Sequence, residues 1–276
     1  MKKGCARQRV SGDAMNRISI LLVPLVILAA GLDAEAASSA NKPSSAPVLV
    51  ELFTSEGCSS CPPADALIEQ IDRTQPIPGA DVIALSEHVD YWDHGGWVDP
   101  YSSHLLTDRQ SDYALRLHLE SPYTPQVVVD GVDQVLGSDP GAVGQAIEKA
   151  RAGQTIPVQI SAVSWQSSNT LSAHIEVGPL PEASKVKRAD VFLAAALDRA
   201  ESQVAAGENR GRHLSYVAVV IDLSHVGSVE RGKGFAQDVR LKLDPHRDLR
   251  NLRVVAFVQE SGPGPVLGAA QEHLKK

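Results

Sequence analysis

The sequence predicts an α/β domain over residues 48–153 followed by an all-β, sandwich-like domain over residues 154–276. Three observations carry this reading. The first stretch alternates short apolar runs of strand formers with segments whose apolar residues recur at helical spacing. The second, from Thr155 on, consists of strand-like runs separated by turn residues. The composition, 43% apolar and 21% charged over 276 residues, is globular and excludes a disordered polymer, a collagen-like fibre and a multi-span membrane protein. A net charge of -7 with no basic patch argues against a nucleic-acid partner, because phosphate binding needs clustered Lys and Arg.

Ahead of these domains, Lys2, Lys3, Arg7, Arg9 and Arg17 precede an apolar run from Ile18 to Ala30, and Ala34-Glu35-Ala36 follows as a small-x-small cleavage pattern. This is the make-up of a secretory signal peptide over residues 1–36, with an uncleaved N-terminal anchor as the alternative. The run is short for a membrane span and Pro24 interrupts it, so no stable span is expected after cleavage. Met15 would be a more ordinary start than Met1. The expected location is therefore exported, periplasmic or extracellular. Residues 37–47, rich in Ala, Ser and Pro, read as a flexible lead-in. Cleavage removes Cys5 and both methionines and leaves 21 basic against 30 acidic residues, a net charge of -9. The two cysteines that stay, Cys58 and Cys61, sit in a compartment where disulfides persist.

The elements follow in order. Val48 to Phe53 is an apolar run broken only by Glu51 and reads as a buried strand. After Cys58-Ser59-Ser60-Cys61-Pro62-Pro63, the residues Ala64, Leu67, Ile68 and Ile71 recur at helical spacing, and proline suits a first helical turn. Asp81 to Ser86 is a second strand, running into a loop from Glu87 to Trp97 dense in aromatics, His and Asp. Ser103 to His118 is helical. Ser121-Pro122-Tyr123-Thr124-Pro125 leads into a strand from Gln126 to Asp130; Asp130-Gly131 turns it back through Gln134 to Leu136. Ser138 is the expected cap of a last helix, Pro140 to Arg151. The second domain shows six strand-like runs, at 156–160, 171–177, 191–197, 214–221, 239–243 and 254–258, which suggest an antiparallel sandwich.

The cysteines thus lie at a strand-to-helix junction. Free backbone N–H groups and the positive end of a helix dipole stabilise a thiolate there, which favours Cys58 as nucleophile and leaves Cys61 to attack the resulting mixed disulfide. Glu56 opposes this by adding negative charge nearby.

The order strand, Cys-x-x-Cys, helix, strand, helix, Thr-Pro, strand, turn, strand, helix resembles the thioredoxin fold. The expected architecture is therefore an α/β thioredoxin-like N-terminal domain followed by the sandwich. Within that resemblance, Glu51 matches the buried acid before the active site, one residue further from the cysteines than in thioredoxins, and is expected to take a proton from Cys61. Thr124-Pro125 matches the cis-proline dipeptide and is expected to hold a substrate chain. A closer likeness covers most of the mature chain. Leu52 to Asp65, the loop His88 to Asp93, Tyr123 to Gly131 and Gly207-Glu208-Asn209-Arg210-Gly211-Arg212 look like the bacterial secreted family catalogued as domain of unknown function 1223. The sequence departs from thioredoxin in its Ser59-Ser60 dipeptide, in lacking a Trp before Cys58, and in the extra aromatic loop.

The leading expectation is an exported thiol–disulfide oxidoreductase acting on a protein or small-molecule thiol or disulfide, with no cofactor. Trp92 and Trp97 serve either as a substrate platform or as plain cover for the sheet end. One alternative is a copper(I) or other soft-metal delivery protein using Cys58, Cys61 and His88. Another is a non-catalytic interaction module with a structural disulfide. Arg210 and Arg212 read as part of a solvated loop.

Overall fold

Val48 to Phe53 forms the middle of β1 (Ala46–Thr54), and its neighbours extend it to nine residues. The structure is a computed structural model that describes residues 45–153 and 155–274; the signal peptide expected over 1–36 and the lead-in up to residue 44 lie outside the described residues. After β1 come α1 (Pro62–Thr74), β2 (Ala80–His88), α2 (His104–Arg116), β3 (Gln126–Val129), β4 (Asp133–Leu136) and α3 (Pro140–Ala150). The second half is all strand: β5 (Val158–Trp165), β6 (Thr170–Val177), β7 (Arg188–Gln203), β8 (His213–Glu230), β9 (Phe235–Lys242), β10 (Leu252–Glu260) and β11 (Val266–His273). No helix among the described residues is long and apolar enough to cross a membrane.

Strand outweighs helix, and the strands form one mixed eight-stranded sheet, β11-β10-β7-β8-β2-β1-β3-β4, and one three-stranded sheet, β5-β6-β9. β1 and β2 run parallel, while β3 and β4 return antiparallel. The large sheet crosses from the first half of the chain to the second where β2 meets β8 in parallel, Ser86 opposite Val219.

The period-two alternation of β1 sorts its side chains onto two faces. Val48, Val50 and Leu52 pack with Ala64, Ile68 and Ile71 of α1 and with Val143 and Ile147 of α3. Leu49 and Phe53 point the other way, toward Leu106 and Tyr113 of α2. In the second half, Leu171, Ala173 and Ile175 of the small sheet close over Val191, Leu193 and Ala195 of β7 and Val254, Ala256 and Val258 of β10. Both sheets contribute alternate residues to this sandwich core, the packing expected of two facing sheets.

Two details differ from the expectation. The cap of α3 is Asp139, not Ser138: its carboxylate accepts from the N–H groups of Gly141 and Ala142. Pro140 occupies the first helical position, which places the cap one residue before it. β11, Val-Leu-Gly-Ala-Ala-Gln-Glu-His, was not among the expected runs because it is poor in β-branched and aromatic residues, and it forms by pairing with β10 along its length.

Candidate functional site

β1 ends at Thr54, and the chain turns through Ser55, Glu56 and Gly57 into the cysteine pair. Cys61 is the N-cap residue of α1, with Pro62 and Pro63 in the first turn, where a missing N–H leaves no gap. Cys58 and Cys61 are joined by a disulfide with their Cα atoms 5.5 Å apart. Both are buried, while Ser59 and Ser60 between them are exposed.

Thr124-Pro125 is a cis peptide at the start of β3. A Cβ added at Gly137 would lie 3.2 Å from the Cβ atoms of both Pro125 and Ala64, so Pro125 borders the first turn of α1. The aromatic loop ties these parts together. The Trp92 indole donates to Thr124 Oγ1 at 2.8 Å, and its Cβ and carbonyl oxygen border Gly57, where an added Cβ would meet them at 2.9 and 3.1 Å. The Trp97 indole donates to Glu56 Oε2 at 2.7 Å. Both tryptophans are half-buried, so each covers a neighbour of the cysteines and keeps one exposed side.

A strap from the second half of the chain closes over the pair. The Asn209 side-chain amide donates to the carbonyls of Glu56 and Cys58, 2.9 Å each, and Glu208 accepts from the Ser59 N–H at 3.2 Å. Arg210 and Arg212 are exposed, as expected of a solvated loop, but their neighbours are fixed to the cysteine turn. Cys58 is 1% exposed beneath this strap.

Behind the cysteines lies a group of buried acids around one histidine. His88, at the end of β2, pairs through Nδ1 with Asp99 Oδ2 at 2.7 Å, and its ring stands edge-on to Tyr216 of β8 with centroids 4.7 Å apart. Burial opposes a charge on His88, yet the Asp99, Asp65 and Glu56 carboxyls raise its pKa. Asp99 is held below the usual carboxylate range because His88 and two backbone N–H groups outweigh its burial. Burial, then the Asp99 charge, pushes Glu56 up. Burial likewise pushes Asp65, on α1, up to about 7.

Glu51 does not join this group. Its position, seven residues before Cys58, lies on the α2 face of the sheet, and in a strand a one-residue offset reverses the face. Leu52, six residues before Cys58, is the one that points toward α1. The Glu51 carboxylate accepts from Arg109 Nε at 2.7 Å and from the Tyr113 hydroxyl at 2.6 Å, inside a buried network completed by Gln259. Burial and then the nearby Glu51 carboxyl push neighbouring Glu87 well above the usual carboxylate range, and Arg109 tempers the rise. The proton-acceptor role expected of Glu51 at Cys61 is therefore not one its position supports. Nor does His88 form a three-ligand set with the cysteines: among the described residues no three His, Cys, Asp or Glu side chains are placed to hold a metal ion.

Two groups at the site were not read from the sequence as functional. Asp65 falls on the buried stripe of α1 with Cys61, Ala64 and Ile68, an acid at an apolar position, and that was a legible signal. Asn209 stands out only as part of the Gly207 to Arg212 run; nothing local marks what it binds, because its partners lie about 150 residues away.

Residues 49–259 match a family described as a protein of unknown function, DUF1223. The crystal structure of AGR_C_4864 from Agrobacterium tumefaciens is similar over 82% of this chain and 94% of that one, at 28% identity and a TM-score of 0.62. HBP35 of Porphyromonas gingivalis is similar over 83% of this chain and 76% of that one, at 17% identity and a TM-score of 0.61, a likeness of fold alone. A search of curated proteins found no match.

Proposed function

We propose, for a chain that belongs to the DUF1223 family of proteins of unknown function, a role as an exported thiol–disulfide oxidoreductase with a thioredoxin-like front half. The observation that carries this reading is the Cys58–Cys61 disulfide at the N-cap of α1, bordered by the cis Thr124-Pro125 peptide. The strand order β2-β1-β3-β4, with β1 and β2 parallel and β3 and β4 antiparallel, supports the thioredoxin-like part. Export is supported by the basic segment, apolar run and Ala34-Glu35-Ala36 pattern at the N-terminus.

In the reducing direction, the Cys58 thiolate attacks one sulfur of the substrate disulfide, and the substrate's other sulfur leaves as a thiolate. Cys61, deprotonated, then attacks Cys58 Sγ, the mixed disulfide breaks, and the second substrate sulfur leaves with its electron pair. The protein ends oxidised and the substrate reduced; the oxidising direction is the reverse, and an external dithiol or disulfide resets the pair. Free N–H groups at the start of α1 favour the Cys58 thiolate over the thiol. Trp92, beside Gly57, and Thr124-Pro125, bordering the first turn of α1, are the surfaces assigned to a substrate chain in this reading. The strap bearing Asn209 must release before Cys58 is reached.

Replacing Cys58 with Ser tests the reading: dithiol-dependent reduction of a test disulfide should vanish. Undiminished activity in Cys58→Ser would sink it. A Cys58–Cys61 reduction potential below about -300 mV, the range of resistant structural disulfides, would instead leave the pair as a staple.

A further inference from the structure

Thiol–disulfide exchange requires a place for the proton that Cys61 gives up, and with Glu51 on the opposite face of the sheet another base has to supply it. Asp65 lies four residues after Cys61. Cys61 has helical backbone angles, and the Asp65 N–H donates to the Cys61 carbonyl, so the two side chains share one face of α1 a single turn apart. Both are buried. Thr54 Oγ1, at the end of β1, donates to Asp65 Oδ1 at 2.8 Å and so fixes the carboxyl under the cysteine turn.

The surroundings of Asp65 suit a proton-handling group. From the turn after β1 it faces Glu56, from β2 His88, from the following loop Asp99, and from β8 Tyr216. Glu56 Oε1, His88 Nε2 and the Tyr216 hydroxyl are buried without a protein hydrogen-bond partner among the described residues. Buried polar atoms are nearly always paired, and three unpaired ones from three elements around one carboxyl mark a site whose demands conflict with simple stability.

We infer that Asp65 accepts the proton of Cys61 in the resolving step. This rests on the oxidoreductase reading. The Asp65 carboxylate takes the proton from the Cys61 thiol, and the Cys61 thiolate attacks Cys58 Sγ. The Cys58–substrate bond breaks, and the substrate leaves as a thiolate. In the oxidised protein Asp65 then holds the proton, and returns it to Cys61 when the disulfide is reduced again. Burial, tempered by the His88 charge and the Thr54 hydrogen bond, brings Asp65 to about 7, where a group exchanges protons readily at neutral pH.

The experiment uses the reduced full chain carrying Cys5→Ser, which leaves Cys58 and Cys61 as its thiols, and 5,5′-dithiobis(2-nitrobenzoic acid). Attack by Cys58 releases one thionitrobenzoate; resolution by Cys61 releases the second, so a stopped-flow trace separates the two steps. Asp65→Asn should leave the first phase in place and slow the second by about a hundredfold at neutral pH, the lower range for acid–base assistance. Its pH midpoint should move up toward that of a free thiol, about 8.5. Asp65→Glu should restore part of the rate. Thr54→Val, which removes a hydrogen bond that favours the charged carboxylate, should move the midpoint of the second phase upward with both phases present, and it decides the matter if Asp65→Asn does not fold. An Asp65→Asn second phase with unchanged rate and midpoint overturns the assignment alone, as does an unmoved midpoint in Thr54→Val. A Cys5→Ser chain, otherwise wild type, that releases one equivalent only overturns the dithiol reading together with it.

Discussion

Asn209→Ala isolates the contribution of the strap to the reactivity of Cys58. The side chain makes two buried hydrogen bonds of 2.9 Å, to the carbonyls of Glu56 and Cys58, while the Glu208 contact with Ser59 is exposed and remains. At about 1 kcal/mol for each buried bond, the substitution weakens the closed form by about 2 kcal/mol. At 1.4 kcal/mol per tenfold, that is about a thirtyfold rise in the fraction of chains with the strap open. Reduction by excess dithiothreitol, quenched with an alkylating reagent and read as the mass added to Cys58 and Cys61, should speed up by about that factor, because a reductant reaches Cys58 only in the open form. Arg210→Ala, on the same loop but exposed, serves as the control and should reduce at the wild-type rate. Equal rates for Asn209→Ala and wild type would refute the reasoning, since the disulfide would then be reached without displacing the strap.

Further outcomes follow from the buried charges. Glu51→Ala should lower stability by about 3 kcal/mol in urea unfolding, the low end for breaking a buried ion pair because Glu87 stays beside Arg109. The pH midpoint of the resolving step should not move in this variant, and a shift there would return Glu51 to the site. Arg253, 3% exposed, grips Asp72 of α1 with two hydrogen bonds and thereby fastens that helix to β10. Arg253→Ala should cost about 3 kcal/mol, and adding Asp72→Ala should cost much less than the sum of the two single changes. For Asp65 the sign runs against the usual carboxylate. Its folded pKa of about 7 lies above the unfolded value of 3.8, so the folded state binds the extra proton between them. The stability it contributes is full below the unfolded value and is lost as pH rises through about 7. Asp65→Asn should therefore gain on wild type in urea midpoint from pH 4 to pH 7.5; parallel curves would refute the protonated, buried Asp65.

The cysteine turn was the most legible part of the molecule. Val48 to Phe53, the Cys-x-x-Cys spacing and the prolines after it are local signals, and the structure places β1, the N-cap and the first turn of α1 where they point. Glu51 shows where such reading stops short. It was identified as a buried acid, and it is buried, but its role depended on the parity of its distance from Cys58, and parity decides the face. Trp92 and Trp97 stood out by composition alone; that their indoles bond Thr124 and Glu56, on either side of the cysteine turn in sequence, depended on the tertiary fold. β11 escaped notice because its pairing with β10, and not its residue types, holds it in extended form.

By itself the sequence determined the elements that short-range physics sets: an apolar strand, prolines at a helix start, a cysteine pair able to form a small ring, and a second half of alternating strands. Only the tertiary structure decided which distant groups surround that pair. The parallel contact of β2 with β8 carries the large sheet across both halves and brings Tyr216 against His88, and the strap after β7 sets Asn209 on Cys58. The reason is physical. A hydrogen bond or a buried charge depends on the chemistry of both partners and on the burial around them, and partners 150 residues apart in the chain leave no pattern in either local segment.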